Sequence, residues 1–199
     1  IIKYMTNSAP NISEKIKEEL LRCKSDPVYW MKKYYTIQHP TKGRMSFNLY
    51  PFQEKVLHIF QRFDYNIINK SRQLGISTLV SAFSLWMMLF EQDKNILVLA
   101  TTQATAKNMV TKVRFAYDNL PGWMKLPVIE HNRLSLRLKN GSQIKAVSAA
   151  TDSARSEAVS LLVMDECVSG DTKIKVRNKS TGEIKEVAIE DLINNNEYK

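Results

Sequence analysis

Two cysteines, three histidines, six glycines and six prolines in 199 residues exclude several classes of protein at once. Cys23 and Cys167 are too few and too far apart for a disulfide framework, the device that compensates small secreted domains for a thin core. Glycine this sparse excludes a collagen-like chain, and a hydrophobic fraction of 44% excludes disorder. No uncharged run reaches the ~20 residues a membrane-spanning helix requires, so no membrane is expected among the partners. No secretory leader follows Ile1, and a reducing cytosol is the expected compartment. Positive charge is what the chain has in excess: 29 Lys and Arg against 20 Asp and Glu, formally +9. The whole excess lies in residues 1–166, while residues 167–199 carry equal numbers of each sign. A basic surface of that size favours a polyanion such as DNA or RNA through counterion release.

The order of elements points to an α/β fold. Residues 12–35 repeat apolar side chains at helical spacing, and Asp26-Pro27 breaks the run into two helices. Residues 37–46 hold Pro40 and Gly43 without periodicity and read as a loop. A helix starts at Pro51 and is expected to bury Phe52, Val56, Leu57 and Phe60. Strands and helices then alternate: a strand over 65–68, a helix over 77–91, a strand over 95–100 and a helix over 102–119. Residues 133–138 and 142–147 form two strands joined by Asn140-Gly141, the strongest hairpin signal in the chain. Residues 159–164 are an apolar strand of the kind buried on both faces of a parallel sheet. Three segments result: a helical segment over 1–47, an α/β domain over 48–166, and a neutral tail over 167–199.

Between the first expected strand and its helix lies Lys70-Ser71-Arg72-Gln73-Leu74-Gly75-Ile76-Ser77-Thr78. A glycine turning into a helix headed by hydroxyl residues exposes backbone N–H groups at a positive helix end, where phosphate binds. The common pattern G-x-x-x-x-G-K-[ST] is not met, because Ile76 stands at the lysine position. The cation must come from elsewhere, and Lys70 or Arg72 at the front of the loop can reach the β/γ-phosphates. Ser77 or Thr78 supplies a hydroxyl to Mg²⁺. The second half of the site is the strand Leu161-Leu162-Val163-Met164 ending in Asp165-Glu166. A parallel strand delivers its terminal residues to the crevice where ligands bind. Asp165 is expected to hold Mg²⁺ and Glu166 to polarise the water that attacks the γ-phosphate. Loop and carboxylate pair together suggest an ATPase. A helicase-like ATPase, or a degenerate module that binds nucleotide or DNA without turnover, is the alternative.

These motifs, with Asn48-Leu49-Tyr50-Pro51-Phe52-Gln53 upstream, strongly resemble the ATPase domain of the large terminase subunit of tailed bacteriophages, over roughly residues 20–166. The resemblance implies an additional-strand, RecA-like P-loop NTPase fold using ATP and Mg²⁺, with an early basic residue of the loop replacing the usual lysine. It implies double-stranded DNA as substrate, the portal and the small terminase subunit as partners, and the cytoplasm of the infected bacterial host as location. By the same resemblance Gln53, with Tyr50 nearby, stands in the place of the adenine-reading Q motif, and Arg155 acts on the transition state of hydrolysis.

After Glu166 the terminase pattern stops. Cys167-Val168-Ser169-Gly170-Asp171-Thr172, two short strands over 174–177 and 183–187, and Ile189-Glu190-Asp191-Leu192 resemble the N-terminal splicing block of an intein, a small all-β Hint-type fragment. The resemblance makes Cys167 the nucleophile of an N-to-S acyl shift on the Glu166 carbonyl. The acceptor nucleophile, the terminal asparagine and the Thr-x-x-His block of that family are missing from these residues. The 33 residues from Cys167 to Lys199 fit a split intein that splices in trans with a complementary C-terminal intein/terminase fragment, the alternative being a contiguous intein.

Overall fold

A computed structural model describes residues 14–100, 103–148, 158–165, 173–177 and 181–188, and the chain divides into two compact units at Asp165 and Glu166. In the first unit, α1 (Glu14–Ser25) and α2 (Pro27–Tyr34) are separated as the Asp-Pro step requires. The Asp26 carboxylate caps α2 by accepting from the Tyr29 N–H at 2.9 Å, and Pro27 occupies the first helical position. Residues 36–46 are not the expected loop. β1 (Thr36–His39) and β2 (Gly43–Ser46) pair antiparallel, with Thr36 opposite Ser46 and His39 opposite Gly43. Pro40 lies in the connection and Gly43 starts the return strand at φ +68°, so both breakers mark the turn, and four-residue strands are too short to display a period.

α3 (Pro51–Arg62) starts at its proline as expected, with Leu57 buried and Val56 and Phe60 half-buried against the core, but the other buried residue is Gln53. Phe52 lies exposed, stacked on Tyr50 with ring centroids 5.8 Å apart. α4 (Ile76–Phe90) is apolar almost throughout, because it packs against α2, α3 and α5 and reaches β7. β3 (Asn95–Ala100), α5 (Gln103–Asp118), a 3₁₀ turn (Gly122–Met124) and β4 (Val128–His131) follow. β5 (Ser135–Leu138) and β6 (Gln143–Ser148) form the expected hairpin, with Gly141 at φ +85°. Asn140 is buried and its side-chain amide donates to the carbonyls of Met88 and Glu91, which closes the C-terminal end of α4.

The sheet runs β4-β5-β6-β3-β7, where β7 is Leu161–Asp165. β3 is parallel to both β6 and β7, and β5 is antiparallel to both β4 and β6, so the sheet is mixed. Two strand expectations fail together. Residues 65–68 form no strand, and Tyr65 and Ile67 are 94% and fully exposed. β7 is not buried on both faces: Leu162 and Met164 are 43% and 65% exposed, because alternation turns both to one face that no element among the described residues covers. Among the described residues no helix is long and apolar enough to cross a membrane. Among the described residues of the second unit, β8 (Lys173–Arg177) and β9 (Ile184–Ala188) pair as an antiparallel hairpin, with Gly182 at φ +74° ahead of β9. Arg155, Glu166, Cys167 and the segment 189–193 lie outside the described residues.

Candidate active site

The loop over 71–75 enters α4 through Gly75, whose φ of +69° and ψ of 13° are left-handed. Only glycine adopts that conformation without strain, and it turns the first N–H groups of a fifteen-residue helix outward. Ser71, Arg72, Gln73 and Leu74 are exposed, and Lys70 is half-buried. Ile76 is buried in the core, so at this position only its backbone N–H faces the loop. Ser77 and Thr78 are half-buried on the first turn.

The Ser77 hydroxyl donates to Asp165 Oδ2 at 2.7 Å. That bond joins the start of α4 to the C-terminal end of β7 across 88 residues of sequence, so loop and strand end meet in one place. A hydroxyl beside a carboxylate is a hard-oxygen pair suited to Mg²⁺, which takes one or two protein oxygens and fills its octahedron with water and phosphate. Among the described residues no group of three or more His, Cys, Asp or Glu could hold a metal by itself. An ion held by Ser77 and Asp165 would therefore need further oxygens from water or a bound ligand.

Gln53 is 1% exposed and bridges two elements. Its Oε1 accepts from the Tyr50 N–H and its Nε2 donates to the Leu74 carbonyl, each at 3.0 Å. The side chain thus ties the first turn of α3 to the loop, and a Cβ built on Gly75 would lie 2.9 Å from Gln53 Nε2. Tyr50 is exposed beside it.

Lys112, on α5, was not among the residues that the sequence singled out. Desolvation pulls its pKa below the ordinary lysine range, opposed by the nearby Asp165 carboxylate and assisted by the Lys70 cation. By area the residue is exposed. Thr78, Thr111, Lys112 and Phe115 line a cavity of about 40 Å³ with Tyr35 and residues 36–38 of β1. A lysine in a helix otherwise read for its apolar face carries no sequence signal; only the packing of α5 beside α4 brings it to this end of the sheet.

Residues 67–176, more than half of the chain, match the family described as terminase large subunit, T4likevirus-type, N-terminal. The match includes the loop and the Asp165-Glu166 pair, and it runs past Glu166 to residue 176. Among solved structures, the chain is similar to the crystal structure of the HK97 bacteriophage large terminase, with a TM-score of 0.57 and 16% identity. The likeness covers 72% of this chain but 31% of that one. At this identity it concerns the fold, and the chain spans about a third of that protein's length.

Proposed function

The chain belongs to the terminase large subunit family, T4likevirus-type, and from that premise we propose that its first unit is the nucleotide-binding part of a phage DNA-packaging ATPase. The observation that carries this reading is the bond from Ser77 to Asp165, which joins a phosphate-binding helix end to a strand-terminal carboxylate. The N–H groups of residues 71–78 would hold the phosphates of ATP, with Lys70 or Arg72 supplying the cation that the loop otherwise lacks. Ser77 and Asp165 would hold Mg²⁺, which would offset the charge of the phosphates. Glu166, next along the chain, polarises the attacking water, and Arg155 supplies positive charge to the transition state. Gln53 and Tyr50 form the adenine side. The basic excess of residues 1–166 faces double-stranded DNA, and the portal and the small terminase subunit complete the assembly in the host cytoplasm.

The chain is a precursor in this reading. Supporting it are the division of the chain at Asp165 and Glu166 and the change from net basic to neutral at the same place. The Cys167 thiolate attacks the Glu166 carbonyl carbon, the Glu166–Cys167 C–N bond breaks, and the leaving nitrogen takes up the proton that the thiol gave up, leaving a free amine on Cys167 and a thioester on its sulfur. A nucleophile from the complementary fragment then takes the acyl group, and asparagine cyclisation releases the intein. Mixing the chain with that C-terminal fragment gives a ligated product and restores ATP turnover, whereas the chain alone turns over negligibly. Ligation by Cys167→Ala would refute the splicing role and leave Cys167 a terminase residue, in keeping with the family match through residue 176. Motor-like hydrolysis by the unspliced chain, abolished in Glu166→Gln, would refute the precursor role.

The buried Ile76 at the lysine position favours one competing reading, a module that binds without turnover. Nucleotide titration separates the two: Lys70→Ala or Arg72→Ala weakens Mg·ATP binding if either replaces the missing lysine, and unchanged binding in both supports the competitor.

A further inference from the structure

The packing of the first unit leaves one polar atom over. Tyr35 stands between α2 and β1, 1% exposed, with its ring against Trp30 and Phe47 at centroid distances of 5.9 and 5.7 Å. Among the described residues its hydroxyl is the single buried side-chain nitrogen or oxygen without a hydrogen-bond partner. Buried polar groups are almost always paired, so an orphaned one points to a partner from outside the chain. Tyr35 lines the cavity of about 40 Å³ between β1, α4 and α5, and the hydroxyl is the polar atom that it brings there.

The rest of the lining has one chemical character. Thr78 adds a hydroxyl, Gln38 an amide and Lys112 an ammonium, while the Thr111 hydroxyl already donates to the Lys107 carbonyl at 3.0 Å. No carboxylate is among the lining residues. A set of donors with one positive charge suits an anion and does not suit a metal ion. At ~10–15 Å³ for each water, the space takes about three waters, or three oxygens of one tetrahedral anion. Thr111 and Lys112 are exposed and mark the side from which solvent reaches it. Consecutive residues of a helix point about 100° apart, so Ser77 meets Asp165 while Thr78 turns to the cavity. Lys112 also lies near enough to the Asp165 carboxylate for the two charges to interact.

We propose that this cavity binds a small tetrahedral oxyanion and receives the inorganic phosphate set free beside Ser77 and Asp165. That the anion is the product of hydrolysis rests on the ATPase reading above; that the lining takes an oxyanion does not. Tyr35 and Thr78 donate hydroxyl hydrogen bonds to it, and Lys112 offsets its charge. Phosphate therefore leaves on the side of β1 and α5 rather than past the bound nucleotide.

The test is calorimetric titration of the full chain with inorganic phosphate, under saturating Mg·ADP so that the loop is filled. Tyr35→Phe keeps the ring and removes only the hydroxyl. It weakens phosphate binding about tenfold, leaves Mg·ATP affinity unchanged and does not lower the Tm, since no bond within the described residues is lost. Arg72→Ala, on the loop, keeps the phosphate affinity of the wild type. Equal phosphate affinity in wild type and Tyr35→Phe, or its loss in Arg72→Ala alone, would put the anion on the loop and overturn the proposal. Nucleotide binding without any phosphate binding would overturn this inference alone and leave the cavity to water. Phosphate binding that depends on Tyr35, in a chain that binds no nucleotide, would keep the oxyanion site and overturn its role for product together with the ATPase reading. In the ligated protein added phosphate inhibits ATP turnover, and Tyr35→Phe relieves that inhibition about tenfold; inhibition unchanged by Tyr35→Phe would overturn the product role.

Discussion

Replacing Gly75 by alanine brings two separable costs. The first is conformational: at φ +69° an L-residue with a Cβ gives up roughly 1 kcal/mol relative to glycine. The second is steric, because the new Cβ would sit 2.9 Å from Gln53 Nε2, closer than van der Waals contact allows. Gln53 is the movable partner, but moving it breaks its 3.0 Å bonds to the Leu74 carbonyl and from the Tyr50 N–H. At about 1 kcal/mol net for each, the steric part adds roughly 1–2 kcal/mol, so the single variant loses about 2–3 kcal/mol in all. The two parts are resolved by a cycle with Gln53→Ala. Without the amide there is no clash, and Gly75→Ala costs only the backbone share of about 1 kcal/mol in that background. Urea unfolding followed by tryptophan fluorescence measures all four chains, since Trp30, Trp86 and Trp123 lie in the first unit. Equal cost of Gly75→Ala in both backgrounds would refute the packing of Gln53 against the loop, and a cost near zero in the wild type would refute the left-handed turn.

Three other outcomes follow from the same structure. Lys112→Met weakens Mg·ATP binding about tenfold, the worth of one charge-assisted contact, and Lys112→Arg keeps most of it; equal affinity of Lys112→Met and wild type in a nucleotide titration would remove Lys112 from the site. The Glu19 carboxylate, which burial alone would push upward, is held down to about 2 by hydrogen bonds from Tyr34, Lys33 and Tyr29 at 2.7–2.9 Å. Because its folded pKa is depressed, its contribution is complete above about 4.5 and is lost as pH falls toward 2; with its side chain one-fifth exposed, that contribution is about 1–2 kcal/mol, read as the difference between wild type and Glu19→Gln across an acid titration. Burial, and then the Glu19 charge, push the Cys23 thiol up to about 12, so a native chain carrying Cys167→Ala takes up no thiol reagent until urea unfolds it, and rapid native labelling would show the site around Cys23 to be open.

Where a feature depends on neighbours in the chain, residue order was sufficient to read it. Asp26-Pro27 sets a helix boundary because a carboxylate cap and a proline at the first helical position act within four residues. Asn140-Gly141 sets a hairpin because the turn needs a positive φ, and the phosphate loop is legible because Gly75 and the hydroxyls of the next turn act through local backbone geometry. The meeting of Ser77 with Asp165 was anticipated only as a pairing of motifs, and its distance is a property of how α4 lies on β7. Gln53 became a buried brace rather than Phe52 because α3 is oriented by its packing on α4, which its own periodicity does not specify. Lys112 joins the phosphate end through the packing of α5 beside α4, and residues 65–68 lack a ladder because pairing requires a neighbour strand that local β-propensity cannot provide. Chemistry carried by adjacent residues was thus readable from their order, whereas burial, strand neighbours and the gathering of distant charges were decided by the tertiary fold, because each depends on which surfaces come into contact.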